Sequence, residues 1–140
     1  MIYYLNIGSN LGNKRENLLQ AITQLQTIAV NCKVSSMIES EPWGYESNNT
    51  FVNVGVKLES DLEPLDMLHH CQSIERKMGS QSHRNKDGNY IDRVIDIDII
   101  LIDDLVIDTP ELSVPHPHMH ERDFVMHPLQ ELRESKEIKG

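Results

Sequence analysis

Asp96 and Asp98 stand two residues apart within Arg93-Val94-Ile95-Asp96-Ile97-Asp98-Ile99-Ile100-Leu101-Ile102, a run otherwise made of branched aliphatics after its first residue. Side chains alternate along a strand, so both carboxylates are expected on one face, with Ile95, Ile97, Ile99 and Leu101 on the other. Ile100 and Ile102 then continue the acidic face, which puts the pair where the strand leaves the core for a cleft. Carboxylates entering a buried strand cost roughly several kcal/mol each unless neutralised. A hard divalent cation bound through oxygen neutralises both, and Mg²⁺ with phosphate is the expectation. Two-metal phosphoryl transfer uses close carboxylates and an arginine, here Arg93, and has little need of a protein nucleophile. The competing reading is a strand end whose charges are solvated or paired with Arg93 and its basic neighbours.

Arg76, Lys77, Arg84, Lys86 and Arg93, with His83 among them, gather just ahead of that strand. A basic segment on an acidic chain suits a small polyanion such as a nucleoside triphosphate, the alternative being a solvated loop. The formal charge of −9 over 140 residues argues against a general nucleic-acid binder. Length and composition fit one globular domain spanning 1–140. No apolar run approaches the ~20 residues that cross a bilayer, and Met1 to Asn6 lacks a basic leader region, so a cytoplasmic protein without a membrane partner is expected. Cys32 and Cys71 lack a C-x-x-C spacing and read as reduced, small apolar residues. The tract Val114-Pro115-His116-Pro117-His118-Met119-His120 invites a transition-metal reading. Prolines flanking His116 impose an extended backbone, however, and no cysteine is near to complete such a site.

These groups need a scaffold. Ile2 to Ile7 reads as a strand ending in the turn-rich Gly8-Ser9-Asn10-Leu11-Gly12, which lacks the full phosphate-loop patterns and reads as a tight strand-to-helix turn. Asn13 and Glu16 form a capping-box pattern opening a helix whose apolar stripe is Leu18, Leu19, Ile22, Leu25, Ile28 and Ala29. Strands are expected over 33–40 and 51–58. Pro64 suits a first helical position, Leu65, Met67, Leu68, Cys71, Ile74 and Met78 supply an apolar face, and Gly79 ends the helix. A polar loop over 80–92 precedes the acidic strand. The order βαββαβ is the ferredoxin-like α+β plan, an antiparallel sheet with helices on one face. A short hairpin over 103–115 and short helices over 120–134, around Pro128, complete the chain.

Six segments in this order resemble the family of 6-hydroxymethyl-7,8-dihydropterin pyrophosphokinases: Gly8-Ser9-Asn10-Leu11-Gly12, Glu41-Pro42-Trp43-Gly44, Phe51-Val52-Asn53, Ile74-Glu75 with Gly79, Arg93-x-x-Asp96-x-Asp98, and Val114-Pro115-His116-Pro117. The resemblance runs from about residue 2 to 132. It implies transfer of the terminal diphosphate of ATP to the pterin hydroxymethyl group, with release of AMP, in folate biosynthesis. By the same resemblance Asp96 and Asp98 hold two Mg²⁺ ions, Asp96 also lies beside the pterin hydroxyl, and Arg93 contacts phosphate. The implied ATP contacts are Gln72, Glu75, Arg84, Arg93, Ile99, Ser113, His116 and Arg122. The implied pterin contacts are stacking Phe51 and Phe124, the amide of Asn53, and backbone groups of Ser40, Glu41 and Trp43. ATP and the pterin are the only partners implied, acting on a monomer.

This chain departs from the family where Ser80 and Ser82 occupy positions that are commonly basic, with Arg84 and Lys86 available as substitutes, and where Tyr90 alone stands for a loop aromatic. Two further readings follow. One is a paralogue that binds pterin or nucleotide with little turnover. The other is a ferredoxin-like module binding Zn²⁺ or Ni²⁺ through His118 and His120.

Overall fold

Apolar strands long enough to cross a sheet form its centre. In the computed structural model, which describes residues 1–40, 50–79 and 94–134, β1 (Ile2–Ser9) and β4 (Phe51–Glu59) pair antiparallel from Ile2↔Glu59 to Ser9↔Val52. Between them come α1 (Lys14–Gln26), β2 (Asn31–Val34) and β3 (Ile38–Ser40). After β4 come α2 (Pro64–Lys77), β5 (Asp96–Ile102), the strands β6 (Ile107–Asp108) and β7 (Ser113–Val114), a 3-10 turn (Met119–Glu121) and α3 (Asp123–Glu134). The sheet runs β2-β4-β1-β5 with β3 also on β4, every neighbour antiparallel, which is the expected ferredoxin-like α+β arrangement. The expected hairpin is β6 with β7.

Local chemistry explains the helix ends. The Asn13 side chain accepts from the Glu16 N–H at 3.3 Å, satisfying an orphan donor of α1. Pro64 opens α2, and Gly79 leaves it at φ +101°, a conformation that favours glycine. Leu18, Ala21, Ile22 and Leu25 of α1, with Met67, Cys71 and Ile74 of α2, pack on Tyr3, Leu5, Ile7, Val54, Val56 and Leu58. Leu19 and Leu65, expected in those stripes, are exposed, because each lies on the flank of its helix turned away from the sheet.

Four expectations are corrected. The strand over 33–40 is two strands with a bulge between them: β2 ends at Val34↔Val56 and β3 begins at Ile38↔Asn53, four residues against three. Ser35 fills the break, its N–H donating to Gly55 O at 2.9 Å and its Oγ accepting from Gly55 N at 2.8 Å. The acidic strand is thus the fifth rather than the fourth. A second irregularity lies in β5, where Leu5 pairs with Ile99 and Tyr4 with Leu101, leaving Ile100 over. Beyond it the faces exchange: Ile102 joins the core under α1 and α2, and Leu101 joins the opposite face, the reverse of strict alternation. Helices also cover both faces rather than one. α3 packs behind the sheet through Val125 and Leu129 and runs unbroken through Pro128, where short helices were expected.

Candidate active site

Register brings the two acidic residues, two glycines and two amides into rows on the α3 side of the sheet. Asp96 on β5, Gly8 on β1 and Asn53 on β4 are directly opposite one another, and Ile38 on β3 continues the row. Asp98, Asn6 and Gly55 form the next row on the same face. With strands ~4.8 Å apart, Asp96 and Asn53 stand ~10 Å from each other with only Gly8 between them. A Cβ on Gly8 would meet Asn53 Oδ1 at 2.9 Å and Phe51 Cδ1 at 3.2 Å, so the glycine preserves a floor that any side chain would obstruct.

Asn53 is buried and donates through Nδ2 to Ser40 Oγ at 2.7 Å, which fixes its amide, while Ser40 and Phe51 are themselves partners across β3 and β4. Phe51 is buried and Phe124 half-buried at the start of α3. The Arg122 guanidinium lies 5.7 Å from the centre of the Phe124 ring. Hence the amide, Phe51, Ser40 and Asp96 occur at one end of the sheet, while Phe124 packs on the cluster of Ile100, Met119, Val125 and Leu129 on the same side.

A cleft of about 290 Å³ opens beside β5 on the side away from β1. Leu68, Gln72 and Glu75 of α2 form one wall, Glu111 to Ser113 with His116 and Pro117 form the other, and Ile97, Asp98 and Ile99 lie at its base. Of the residues assigned to ATP, Gln72, Glu75, Ile99, Ser113 and His116 line it. Leu68, Ile97, Glu111, Leu112 and Pro117 line it too and were not assigned to the site: Leu68 and Ile97 read as apolar-face residues and Pro117 only as part of the Val114–Pro117 segment, while Glu111 and Leu112 carry no distinctive spacing. Glu75 is buried, with Oε2 accepting from the Ile97 N–H at 2.8 Å.

The His116 backbone N–H donates to Ile100 O at 2.9 Å, tying the turn after β7 to the bulge of β5. Its Nδ1 accepts from the His118 N–H at 3.2 Å, which assigns the ring proton to Nε2. Burial, with the charges of Arg122 and His118, pushes the imidazole down to about 4, while Asp96 opposes the shift. His116 is therefore a neutral donor at neutral pH. Its ring centre is 6.2 Å from that of His118, and among the described residues no three His, Cys, Asp or Glu side chains form a metal-holding group. The histidine tract thus gains no support as a Zn²⁺ or Ni²⁺ module.

Asp96 and Asp98 are both half-buried and share one face of β5, as alternation requires. Glu41, Trp43, Arg84 and Arg93, like Ser80, Ser82, Lys86 and Tyr90, lie outside the described residues. Asn6 was missed, although an amide within the apolar run Tyr3–Ile7 is the same signal that singled out Asn53.

The chain is similar to known proteins in sequence and in fold. A pyrophosphokinase acting on 2-amino-4-hydroxy-6-hydroxymethyldihydropteridine, from Porphyromonas gingivalis, is 44% identical over 133 residues, which cover 94% of this chain and 90% of the relative. The enzyme of that name from Bacillus subtilis is 40% identical over 133 residues, covering 94% and 77%. The solved Plasmodium falciparum HPPK-DHPS with pterin and p-hydrobenzoate superposes with a TM-score of 0.64 at 15% identity, across 93% of this chain and 40% of that one, a likeness of fold. The family model for 7,8-dihydro-6-hydroxymethylpterin-pyrophosphokinase matches residues 4–134, and the chain belongs to that family.

Proposed function

We infer that the chain transfers the terminal diphosphate of ATP to the hydroxymethyl group of 6-hydroxymethyl-7,8-dihydropterin, releasing AMP, as a step of folate biosynthesis. Family membership supports the activity, and nothing among the relatives favours a paralogue without turnover. The observation that carries the assignment of the site is the row Asp96–Gly8–Asn53, because it joins a flat, amide-edged floor to a carboxylate next to the β5 cleft.

In this reading the pterin lies over Gly8 with Phe51 and Phe124 as its stacking surfaces and Asn53 at its polar edge, with Ser40, Glu41 and Trp43 completing that edge. ATP occupies the β5 cleft against Gln72, Glu75, Ile99 and Ser113, with His116, Arg122, Arg84 and Arg93 toward its phosphates. The hydroxyl oxygen of the pterin forms the new bond to the β-phosphorus, and the bond from that phosphorus to the oxygen retained by AMP breaks. Asp96 orients the hydroxyl and takes its proton. Neutral His116 donates from Nε2 to phosphate without adding charge.

The donor set suits Mg²⁺: Asp96 and Asp98 offer hard oxygen atoms from one strand face, and two carboxylates leave most of an octahedral shell for phosphate and water. Two such ions held by this pair would neutralise phosphate charge and align nucleophile with leaving group. The enzyme acts as a cytoplasmic monomer in this reading; among the described residues no helix is long and apolar enough to cross a membrane.

Purified protein supplied with ATP and 6-hydroxymethyl-7,8-dihydropterin, with and without Mg²⁺, tests the proposal by AMP release. Formation of AMP that requires both pterin and Mg²⁺ is expected. Bound pterin without AMP would transfer the assignment to a binding paralogue, and AMP without Mg²⁺ would remove the metal role of Asp96 and Asp98.

A further inference from the structure

Pro128 stands inside α3 and has no N–H, so the carbonyl four residues earlier, that of Phe124, lacks its helical donor. Asn6 supplies one from a different element: its Nδ2 donates to Phe124 O at 2.9 Å, across 118 positions of sequence. Asn6 is buried, on the strand between Asp98 and Gly55. We propose that Asn6 is a positioning residue for the pterin site, holding the Phe124 backbone, and through it the stacking ring, in register with the row Asp96–Gly8–Asn53.

The rest of α3 is anchored independently. A Cβ on Gly55 would meet Pro128 Cβ at 2.8 Å and Leu132 Cδ1 at 3.0 Å, so the helix sits directly on that glycine. Farther along, the Glu131 carboxylate accepts from Ser36 N at 3.0 Å and Ser36 Oγ at 2.6 Å. Phe124, by contrast, lies in the first turn, where intrahelical bonds are fewest. Removing the Asn6 donor therefore loosens the ring-bearing turn while the helix stays seated. The cleft wall formed by Gln72, Glu75 and Ser113 belongs to other elements, and the hydrogen bond of Asn6 runs to α3 rather than to Asp98 across from it, so nucleotide affinity measured without Mg²⁺ should depend little on that bond.

The inference rests on Phe124 covering the pterin, and the experiment separates the two claims. Affinities of the full chain for 6-hydroxymethyl-7,8-dihydropterin and for ATP are measured in Asn6→Leu, which keeps the size of the side chain without its donor, and in the smaller Asn6→Ala. Pterin binding is expected to weaken about fivefold, the loss of one neutral hydrogen bond, with ATP binding changed less than about twofold. Pro128→Ala retains the Cβ over Gly55 and restores a backbone N–H to Phe124 O, so it should return pterin affinity to the Asn6→Leu protein. Unchanged pterin affinity, equal losses for both ligands, or no recovery in the double variant would each overturn the proposal. Phe124→Ala is measured alongside. If it leaves pterin affinity intact, the stacking assignment fails and this inference with it; if it weakens pterin while Asn6→Leu does not, only the role of Asn6 fails.

Discussion

Glu75 on α2 accepts a hydrogen bond from the backbone N–H of Ile97, the residue between Asp96 and Asp98. Among the described residues β5 is an edge of the sheet, paired with β1 on one side only, and edge strands carry rows of unpaired backbone groups. A buried carboxylate from the helix takes the place of a neighbouring strand at this one position. Its contribution is to hold the carboxylate-bearing segment against α2 while the cleft beside it stays open.

Glu75→Ala should accordingly lower stability by about 1–3 kcal/mol, the range for stranding a buried donor, as read by urea denaturation. Glu75→Gln retains an acceptor oxygen and should lose less than half of that. Equal losses in the two variants would mean that the negative charge, rather than the acceptor, secures the strand.

Gly8→Ala puts a methyl group against Asn53 Oδ1 and Phe51 Cδ1, on the floor between Asp96 and Asn53. Pterin affinity should drop by roughly tenfold or more, since overpacking of ~1–3 kcal/mol falls on the slot. ATP affinity should hold. Calorimetry with each ligand measures both, and full pterin affinity in this variant would place the ring elsewhere.

Much of this site was legible because it depends on strand period and local capping. Asp96 and Asp98 share a face for that reason, and Pro64, Asn13 and Gly79 mark helix ends by chemistry confined to a few residues. What escaped was set by groups distant in sequence. Ser35 divides a strand by bonding Gly55, Ile100 is left over where β1 and β5 shift register, and α3 continues through Pro128 while Asn6 serves the carbonyl that proline abandons. A proline read by itself ends a helix; read with Asn6, it does not. Helices on both faces were likewise invisible to periodicity, which reports that a face is buried but not what buries it.

His116 offers a test by pH. Its folded imidazole titrates at about 4, below the 6.5 of an unperturbed histidine, so the unfolded chain takes up this proton first as the pH drops. The stability tied to its neutral form is complete above about 6.5 and is lost progressively down to about 4. In the metal-free and nucleotide-free protein, its ring resonances should therefore stay constant from pH 8 to 6 and shift only near 4. A midpoint near 6.5 would show that burial and Arg122 do not keep it neutral. His116→Gln, which keeps a neutral donor, should retain more ATP affinity than His116→Ala.

Asp98→Asn separates charge from shape at the metal-facing pair. The amide matches the carboxylate in size and the position is half-buried, so the fold should persist, with a thermal midpoint within a few degrees of the parent. Loss of one anionic oxygen donor removes affinity for a hard cation, and turnover should fall by roughly a hundredfold or more. Because Asn53 and Gly8 stand in the neighbouring row, pterin binding measured without ATP should change little. The ratio of the two effects is decisive. Turnover that survives while Mg²⁺ affinity is unchanged would remove Asp98 from the metal site, whereas pterin binding lost in step with turnover would make Asp98 part of the pterin floor.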